Sequence, residues 1–201
     1  MRLIAATRNE HKLRELGEIL APAELVPLPD GVELPPEDGE TFAENAVIKA
    51  RAAHAATGQP ALADDSGIEA RALGGLPGVR SARYAGEGAS DEENLEKLLR
   101  EVADAGDDRR VAYVCAIAYV AADGGEHVFL GRCDGELATE PRGSGGFGYD
   151  PAFIPDDTGP DDRRTMAELP PKAKHAISHR GRAAGAMARA LGLSAAVEAE
   201  P

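Results

Sequence analysis

A mixed α/β fold is what this sequence predicts, and three observations carry the expectation. Short apolar runs, Leu3-Ile4-Ala5-Ala6 and Pro60-Ala61-Leu62, read as strands lying next to segments of helical spacing. Residues 111 to 121 (VAYVCAIAYVA) are β-rich and apolar on both faces, as a central strand must be. Two capping boxes, Thr41-Phe42-Ala43-Glu44 and Ser90-Asp91-Glu92-Glu93, mark helix starts, because hydroxyl and carboxylate there reciprocally satisfy free amides.

The elements follow in order. The first strand ends at Thr7-Arg8-Asn9, and the next segment puts Leu13, Leu16, Ile19 and Leu20 on one helical face before Pro22 stops it. A strand is expected over 24–28, then a proline- and acid-rich loop over 29–39. A second helix runs from Thr41 to about Thr57, with Gly58-Gln59-Pro60 as its stop. The strand at 60–62 then opens into Ala63-Asp64-Asp65-Ser66-Gly67-Ile68-Glu69, which places two adjacent carboxylates at a strand mouth. Leu73-Gly74-Gly75-Leu76-Pro77-Gly78 is a rigid turn, and a third helix from Ser90 carries Leu95, Leu98 and Leu99 on its apolar face. Asp123-Gly124-Gly125 turns the long central strand into an antiparallel partner over 126–132. A glycine loop over 142–148 leads to a short strand, Ala152-Phe153-Ile154, and residues 156–162 form an acidic, solvated loop. The last helix begins near Ser178 with Ala183, Met187 and Leu191 inward, and the Ala-Glu-Pro tail frays. With 201 residues, no repeat and no long linker, the chain reads as a single domain, residues 1–201, of one body or two closely packed lobes.

Composition narrows the function classes. Thirty-five acids against 22 Lys and Arg give a formal charge of −13, which repels nucleic-acid backbones and anionic membranes, so a small molecule is the expected partner. The two cysteines, Cys115 and Cys133, lie in or beside apolar runs and read as buried thiols of a reducing, cytoplasmic compartment.

Four constellations carry chemistry. Thr7-Arg8-Asn9-Glu10-His11-Lys12 joins a strand to a helix N-terminus, whose free amides and positive dipole form an anion site, and Lys12 adds a cation at the end the dipole disfavours. Asp64 and Asp65, with Glu37, Asp38, Glu40 and Glu44 close ahead in sequence, are hard-cation donors of the kind that hold Mg²⁺ beside phosphate oxygens. The Asp-Asp-Ser-Gly run is also ordinary turn chemistry, and Glu44 reads as a cap, a ligand or both. Glu37, in a loop, is the better partner for Asp65. Phe147-Gly148-Tyr149-Asp150 closes the glycine loop, and an aromatic beside glycines suits a stacked base or a loop folded onto the core. Lys172 to Gly181 is the densest cationic run, containing Lys174, His179 and Arg180, at a helix start where cations are disfavoured without an anion or carbonyl between them.

With these segments in order, the chain resembles the inosine/xanthosine triphosphate pyrophosphatase family, which removes aberrant purine nucleotides. The matching stretches are Thr7 to Lys12, Thr41 to Ala46, Ala63 to Gly67, Leu73 to Gly78, Gly145 to Pro151 and Ala176 to Gly181. They span nearly the whole chain. One departure is Arg8, where the family usually has glycine between a small hydroxyl residue and Asn. The resemblance implies an elongated, two-lobed α/β structure with a mixed central sheet, helices on its sides and a cleft between lobes, assembled as a homodimer. It implies Mg²⁺-dependent hydrolysis of ITP, dITP and XTP to the monophosphate and pyrophosphate. It assigns Thr7, Arg8, Asn9, Glu10, His11 and Lys12 to the triphosphate, Glu37 and Asp65 to Mg²⁺, and Asp65 also to the catalytic base. Ser66 contacts the nucleotide, Phe147, Gly148, Tyr149 and Asp150 form the base pocket, and Lys174, His179 and Arg180 complete base recognition. A 6-keto purine presents an acceptor that a 6-amino purine lacks, and a buried site demanding that bond discriminates by about 10⁴-fold. Two other readings are a purine nucleotide sensor that does not hydrolyse, and a related-fold pyrophosphatase of modified pyrimidine nucleotides. The first has little need for Asp65 beside a metal and a water, and the second opens with a Ser-rich, double-Arg motif absent here.

Overall fold

The computed structural model describes residues 1–193, so the expected fraying of the tail lies outside the described residues. Six strands form one mixed sheet, flanked by helices, in the order β2-β1-β3-β4-β5-β6. They are β1 (Arg2–Ala5), β2 (Glu24–Pro27), β3 (Ala61–Ala70), β4 (Arg110–Val120), β5 (Glu126–Leu137) and β6 (Phe153–Pro155). The helices are α1 (Glu10–Ile19), α2 (Phe42–Thr57), α3 (Asp91–Ala105), α4 (Pro171–Ile177) and α5 (His179–Ala190). β1 runs parallel to β2 and β3, with Ile4 opposite Leu25's neighbour Val26 on one side and Ala61 on the other. β6 lies antiparallel to β5, pairing Phe153 with Leu137. The α/β class read from the sequence is the one observed.

The chain divides into two compact units. The first comprises Met1–Asp65, Ala116–Leu130 and the segment from Arg180 onward; the second comprises Ser66–Cys115 and Gly131–His179. In the first, Leu3, Ile4, Leu16, Leu62, Ile117 and Met187 are fully buried. Ala46, Ala50 and Ala53 of α2 are fully buried as well, and small side chains at this spacing form one face of the helix. In the second, Ile68, Leu98, Val102, Leu137, Phe153 and Met166 belong to one apolar cluster. Each unit thus has its own core.

Both expected capping boxes form, with Thr41 paired to Glu44 and Ser90 to Glu93. Gly58 ends α2 in the left-handed conformation at φ 64°, which a glycine adopts without Cβ strain. Between β4 and β5 the turn at 121–125 is as expected, with the Gly125 amide donating to Asp123 Oδ1. Both cysteines are buried thiols outside any disulfide.

Three elements differ from expectation. β3 does not end at Asp64 but continues to Ala70, so the Asp-Asp-Ser-Gly run is strand and not turn. Cationic and amide partners compensate both carboxylates there, and a compensated carboxylate need not leave the sheet for water. β5 extends past Arg132 to Leu137 because its last residues pair with β6. The basic run over 172–181 is not one helix start: α4 ends at Ile177, Ser178 is extended at ψ 154°, and α5 starts afresh. Leu191, expected to face inward on the last helix, lies beyond its end and is half-buried.

Candidate active site

Within the first unit, consecutive residues of β3 carry Asp64 and Asp65, and consecutive strand residues face opposite sides. Their partners differ accordingly. Asp64 is 1 % exposed, and its Oδ2 accepts from Arg180 Nε and Nη2 at 3.2 and 3.1 Å and lies 3.1 Å from Lys12 Nζ. Burial by itself raises a carboxyl pKa, but Lys12, Arg180 and Lys49 overturn it and hold Asp64 well below the usual carboxylate range. Arg180 also donates from Nη1 to Glu15 Oε2 at 2.6 Å.

Asp65 turns to α2. Its Oδ2 accepts from Asn45 Nδ2 at 3.1 Å, and its Oδ1 is 3.5 Å from Lys49 Nζ. The Asn45 carbonyl is itself fixed, accepting from the Gly39 amide at 2.8 Å. Lys49 Nζ donates to Glu37 Oε1 at 2.5 Å and to the Asp64 carbonyl at 2.8 Å. Burial raises the Asp65 pKa, Lys49 pulls it back, Glu37 pushes it up again, and the balance lies above the ordinary value. Burial also opposes the Lys49 ammonium, but Asp65, Asp64 and Glu37 outweigh it and raise its pKa. Adjacent aspartates are therefore tuned in opposite directions: one is a fixed anion, the other a carboxylate with raised proton affinity.

Oxygen donors for a hard cation are present. The Glu37 and Asp65 carboxylates already converge on one positive centre, the Lys49 ammonium. Among the described residues no group of three His, Cys, Asp or Glu side chains is placed to hold a metal ion. A pair of carboxylates fits Mg²⁺, which takes one or two from protein and completes its shell with waters and phosphate oxygens. Glu44, by contrast, is a cap: its Oε2 accepts from the Glu40 and Thr41 amides at 2.7 and 3.1 Å.

The segment Thr7 to Lys12 forms the predicted loop and helix start. Asn9 is the N-cap of α1, its Oδ1 accepting from the Lys12 amide at 3.1 Å, and Thr7 Oγ1 accepts from the Asn9 amide. Glu10 and His11 are exposed in the first turn. Arg8 donates from Nη2 to the Val32 carbonyl at 2.8 Å, and no described non-glycine residue has positive φ, so the backbone there needs no glycine.

The second unit holds the other constellation. Asp150 is 3 % exposed and is its hub: Oδ2 accepts from Lys174 Nζ at 2.8 Å and from the Phe147 amide at 3.0 Å, while Oδ1 accepts from Tyr113 Oη at 3.2 Å. Lys174 Nζ also lies 5.3 Å from the Phe147 ring centre, a cation–π distance. Tyr149 is buried and donates to the Ser81 carbonyl at 2.7 Å, and the Gly148 amide donates to Asp91 at 2.8 Å. His179 stacks on Tyr113, ring centres 4.4 Å apart at 12°. Ser66, next after Asp65 in β3, is half-buried.

Of the residues the sequence singled out, Lys12, Glu37, Asp64, Asp65 and Arg180 come together in the first unit, and Phe147, Asp150 and Lys174 in the second. Sequence reasoning missed Asn45, Lys49, Glu15 and Tyr113. Asn45 and Lys49 carry a readable signal, two polar residues four apart on the otherwise alanine face of α2. Tyr113 carries none, since an aromatic in an apolar strand reads as core.

A model of the Ham1 family matches residues 3–190. A dITP/XTP pyrophosphatase of Geobacter sulfurreducens is 50 % identical over 196 residues, covering 95 % of this chain and 96 % of that protein. One from Frankia alni is 52 % identical over 191 residues, covering 90 % of this chain and 92 % of its own. Among solved structures, a HAM1 protein from Coxiella burnetii superposes with a TM-score of 0.86 at 42 % identity, covering 96 % of this chain and all of that one.

Proposed function

This chain belongs to the Ham1 family, and from that premise we propose that it is a nucleoside triphosphate pyrophosphatase. It hydrolyses ITP, dITP and XTP to the monophosphate and pyrophosphate and so removes aberrant purine nucleotides from the pool. The observation that carries this is the geometry of the two adjacent β3 aspartates, Asp64 held by Lys12 and Arg180 and Asp65 set among Asn45, Lys49 and Glu37, in a chain about half identical to dITP/XTP pyrophosphatases.

Asp65 is the base: its carboxylate takes the proton of the attacking water, and Asn45 holds Oδ2 in place by donating to it. Glu37 and Asp65 would hold Mg²⁺, an assignment supported by their convergence on a single positive centre. When bound, Mg²⁺ supplies positive charge against the negative charge that develops on the departing pyrophosphate. Thr7 to Lys12 take the triphosphate, with the α1 amides and the Lys12 ammonium offering charge-assisted bonds to phosphate oxygens. The bond between the α and β phosphates breaks, the pyrophosphate leaving with the bridging oxygen.

Base recognition falls to the second unit. Phe147 supplies the stacking face, Asp150 holds the Phe147 amide and Lys174 in fixed positions, and Tyr113 orients the His179 ring. An ammonium carries three N–H donors; Asp150 takes one, and a second meets the 6-keto oxygen of hypoxanthine or xanthine. Ser66 contacts the nucleotide from β3. The working protein is a cytoplasmic homodimer, a reading supported by two buried thiols outside any disulfide and by exposed Val128 and Leu130 along β5. No described helix is long and apolar enough to cross a membrane.

Specificity constants for ITP, dITP, XTP, ATP and GTP test the substrate assignment. The 6-keto substrates ITP, dITP and XTP exceed ATP by about 10⁴-fold if Lys174 demands an acceptor. Turnover of ATP at the ITP rate removes Lys174 and the base pocket from the account.

A further inference from the structure

Four alternating charges form a continuous network in the first unit. Lys12 Nζ lies 3.1 Å from Asp64 Oδ2, Arg180 grips the same oxygen with Nε and Nη2, and Arg180 Nη1 reaches Glu15 Oε2 at 2.6 Å. Lys12 and Glu15 are three apart on α1, so two of the four charges stand on one helix. Its formal charge is zero, two cations against two anions. Arg180 and Asp64 are nearly inaccessible to water, 2 % and 1 % exposed, whereas the Lys12 side chain is 17 % exposed.

The arrangement has a consequence for phosphate binding. A Lys12 that turns to a triphosphate loosens its contact with Asp64, and a buried carboxylate stripped of its cation is strongly unfavourable. Arg180 removes that obstacle. Its rigid fork keeps Asp64 Oδ2 bonded at two nitrogens, and Glu15 holds the third, so the guanidinium stays in place whether or not Lys12 remains. We propose that Arg180, anchored by Glu15, is a positioning residue for phosphate binding: it satisfies Asp64 so that the Lys12 ammonium is available to the pyrophosphate portion of the substrate. This differs from the base-recognition role that the family resemblance gives Arg180, and it rests on the functional reading above for the assignment of Lys12 to phosphate.

Inorganic pyrophosphate, which has no base, is the probe. Its binding is measured by calorimetry in the presence of Mg²⁺, alongside the ITP-to-GTP ratio of kcat/KM. Arg180→Met weakens pyrophosphate binding on the order of tenfold, because Asp64 without Arg180 holds Lys12 more tightly, while the ITP-to-GTP ratio stays at the wild-type value. Adding Asp64→Asn to Arg180→Met releases Lys12 and brings affinity back to within about threefold of wild type, a rescue that a merely structural loss would not show. Glu15→Gln, which keeps the shape and the Arg180–Asp64 pair, shifts affinity in the same direction by a few-fold and serves if Arg180→Met does not fold. Unchanged pyrophosphate affinity in both Arg180→Met and Glu15→Gln, or a double variant no better than Arg180→Met, overturns the proposal. So does a collapsed ITP-to-GTP ratio with pyrophosphate binding intact. Wild-type protein that binds no pyrophosphate at all removes the functional reading beneath it, an outcome separate from variants that match a binding wild type.

Discussion

Removing the Asp150 carboxylate should unfold the second unit's polar centre before it alters anything else. Asp150 and Lys174 are paired at 2.8 Å with side chains only 5 % and 8 % exposed, so Asp150→Ala leaves an ammonium buried without its counter-ion. Breaking a buried pair from one side costs about 3–5 kcal/mol. Loss of the acceptor for the partly buried Phe147 amide adds about 1 kcal/mol. In a protein of this length each kcal/mol lowers Tm by roughly 2–4 °C, so a fall of about 8–24 °C is expected by calorimetry or circular dichroism. The companion variant decides the cause. Asp150→Ala with Lys174→Met removes both charges and should recover most of the loss, since only the Phe147 and Tyr113 donors then lose Asp150 as acceptor. A single variant within about 3 °C of wild type, or a double variant melting as low as the single, would refute the reasoning that the pair is a mutually dependent buried unit.

Other expectations follow from the same geometry. Asp65→Asn should lower kcat by about 10²–10⁴-fold and leave the fold intact, because Glu37 still pairs with Lys49 and an amide oxygen can still accept from Asn45; turnover near the wild-type rate removes Asp65 as base. Gly146→Ala should be destabilising and impair ITP use: φ is +73°, and an added Cβ runs into the Asp150 carboxylate, so a variant with wild-type Tm and KM contradicts the loop geometry. Asp64 sets an acid limit to stability. Its folded pKa lies below the ordinary 3.8, so its contribution is complete above about pH 4 and is lost as pH falls. Chemical denaturation of the metal-free protein between pH 3 and 7 should show this slope, and Asp64→Asn should flatten it; a variant with an unaltered slope places the acid sensitivity elsewhere.

What the sequence made legible was local chemistry. The two capping boxes, the Gly58 stop and the turn at 121–125 each depend on residues within a few positions of one another, and each formed as read. Misread features depended on partners far along the chain. Asp64 and Asp65 stay inside β3 because Lys12, Arg180, Asn45 and Lys49 reach them, and nothing near position 64 announces those partners. The extension of β5 required β6 as a neighbour, and a strand cannot be measured from one side of its ladder. Lys12 stood out because a cation is misplaced at a helix start, a sound inference whose physical resolution, Asp64, lay in another element. Lys174 and Arg180 belong to one basic run, yet one serves Asp150 and the other Asp64 and Glu15, since α4 ends and α5 restarts between them.

The position of the cleaved bond is where the account is most directly exposed. Purified protein incubated with ITP, with and without Mg²⁺, and resolved for inosine mono- and diphosphate, pyrophosphate and orthophosphate gives the answer. The expected result is Mg²⁺-dependent formation of inosine monophosphate and pyrophosphate in equal amounts, with neither inosine diphosphate nor orthophosphate. Release of orthophosphate with inosine diphosphate would place the reaction at the γ-phosphate and contradict it.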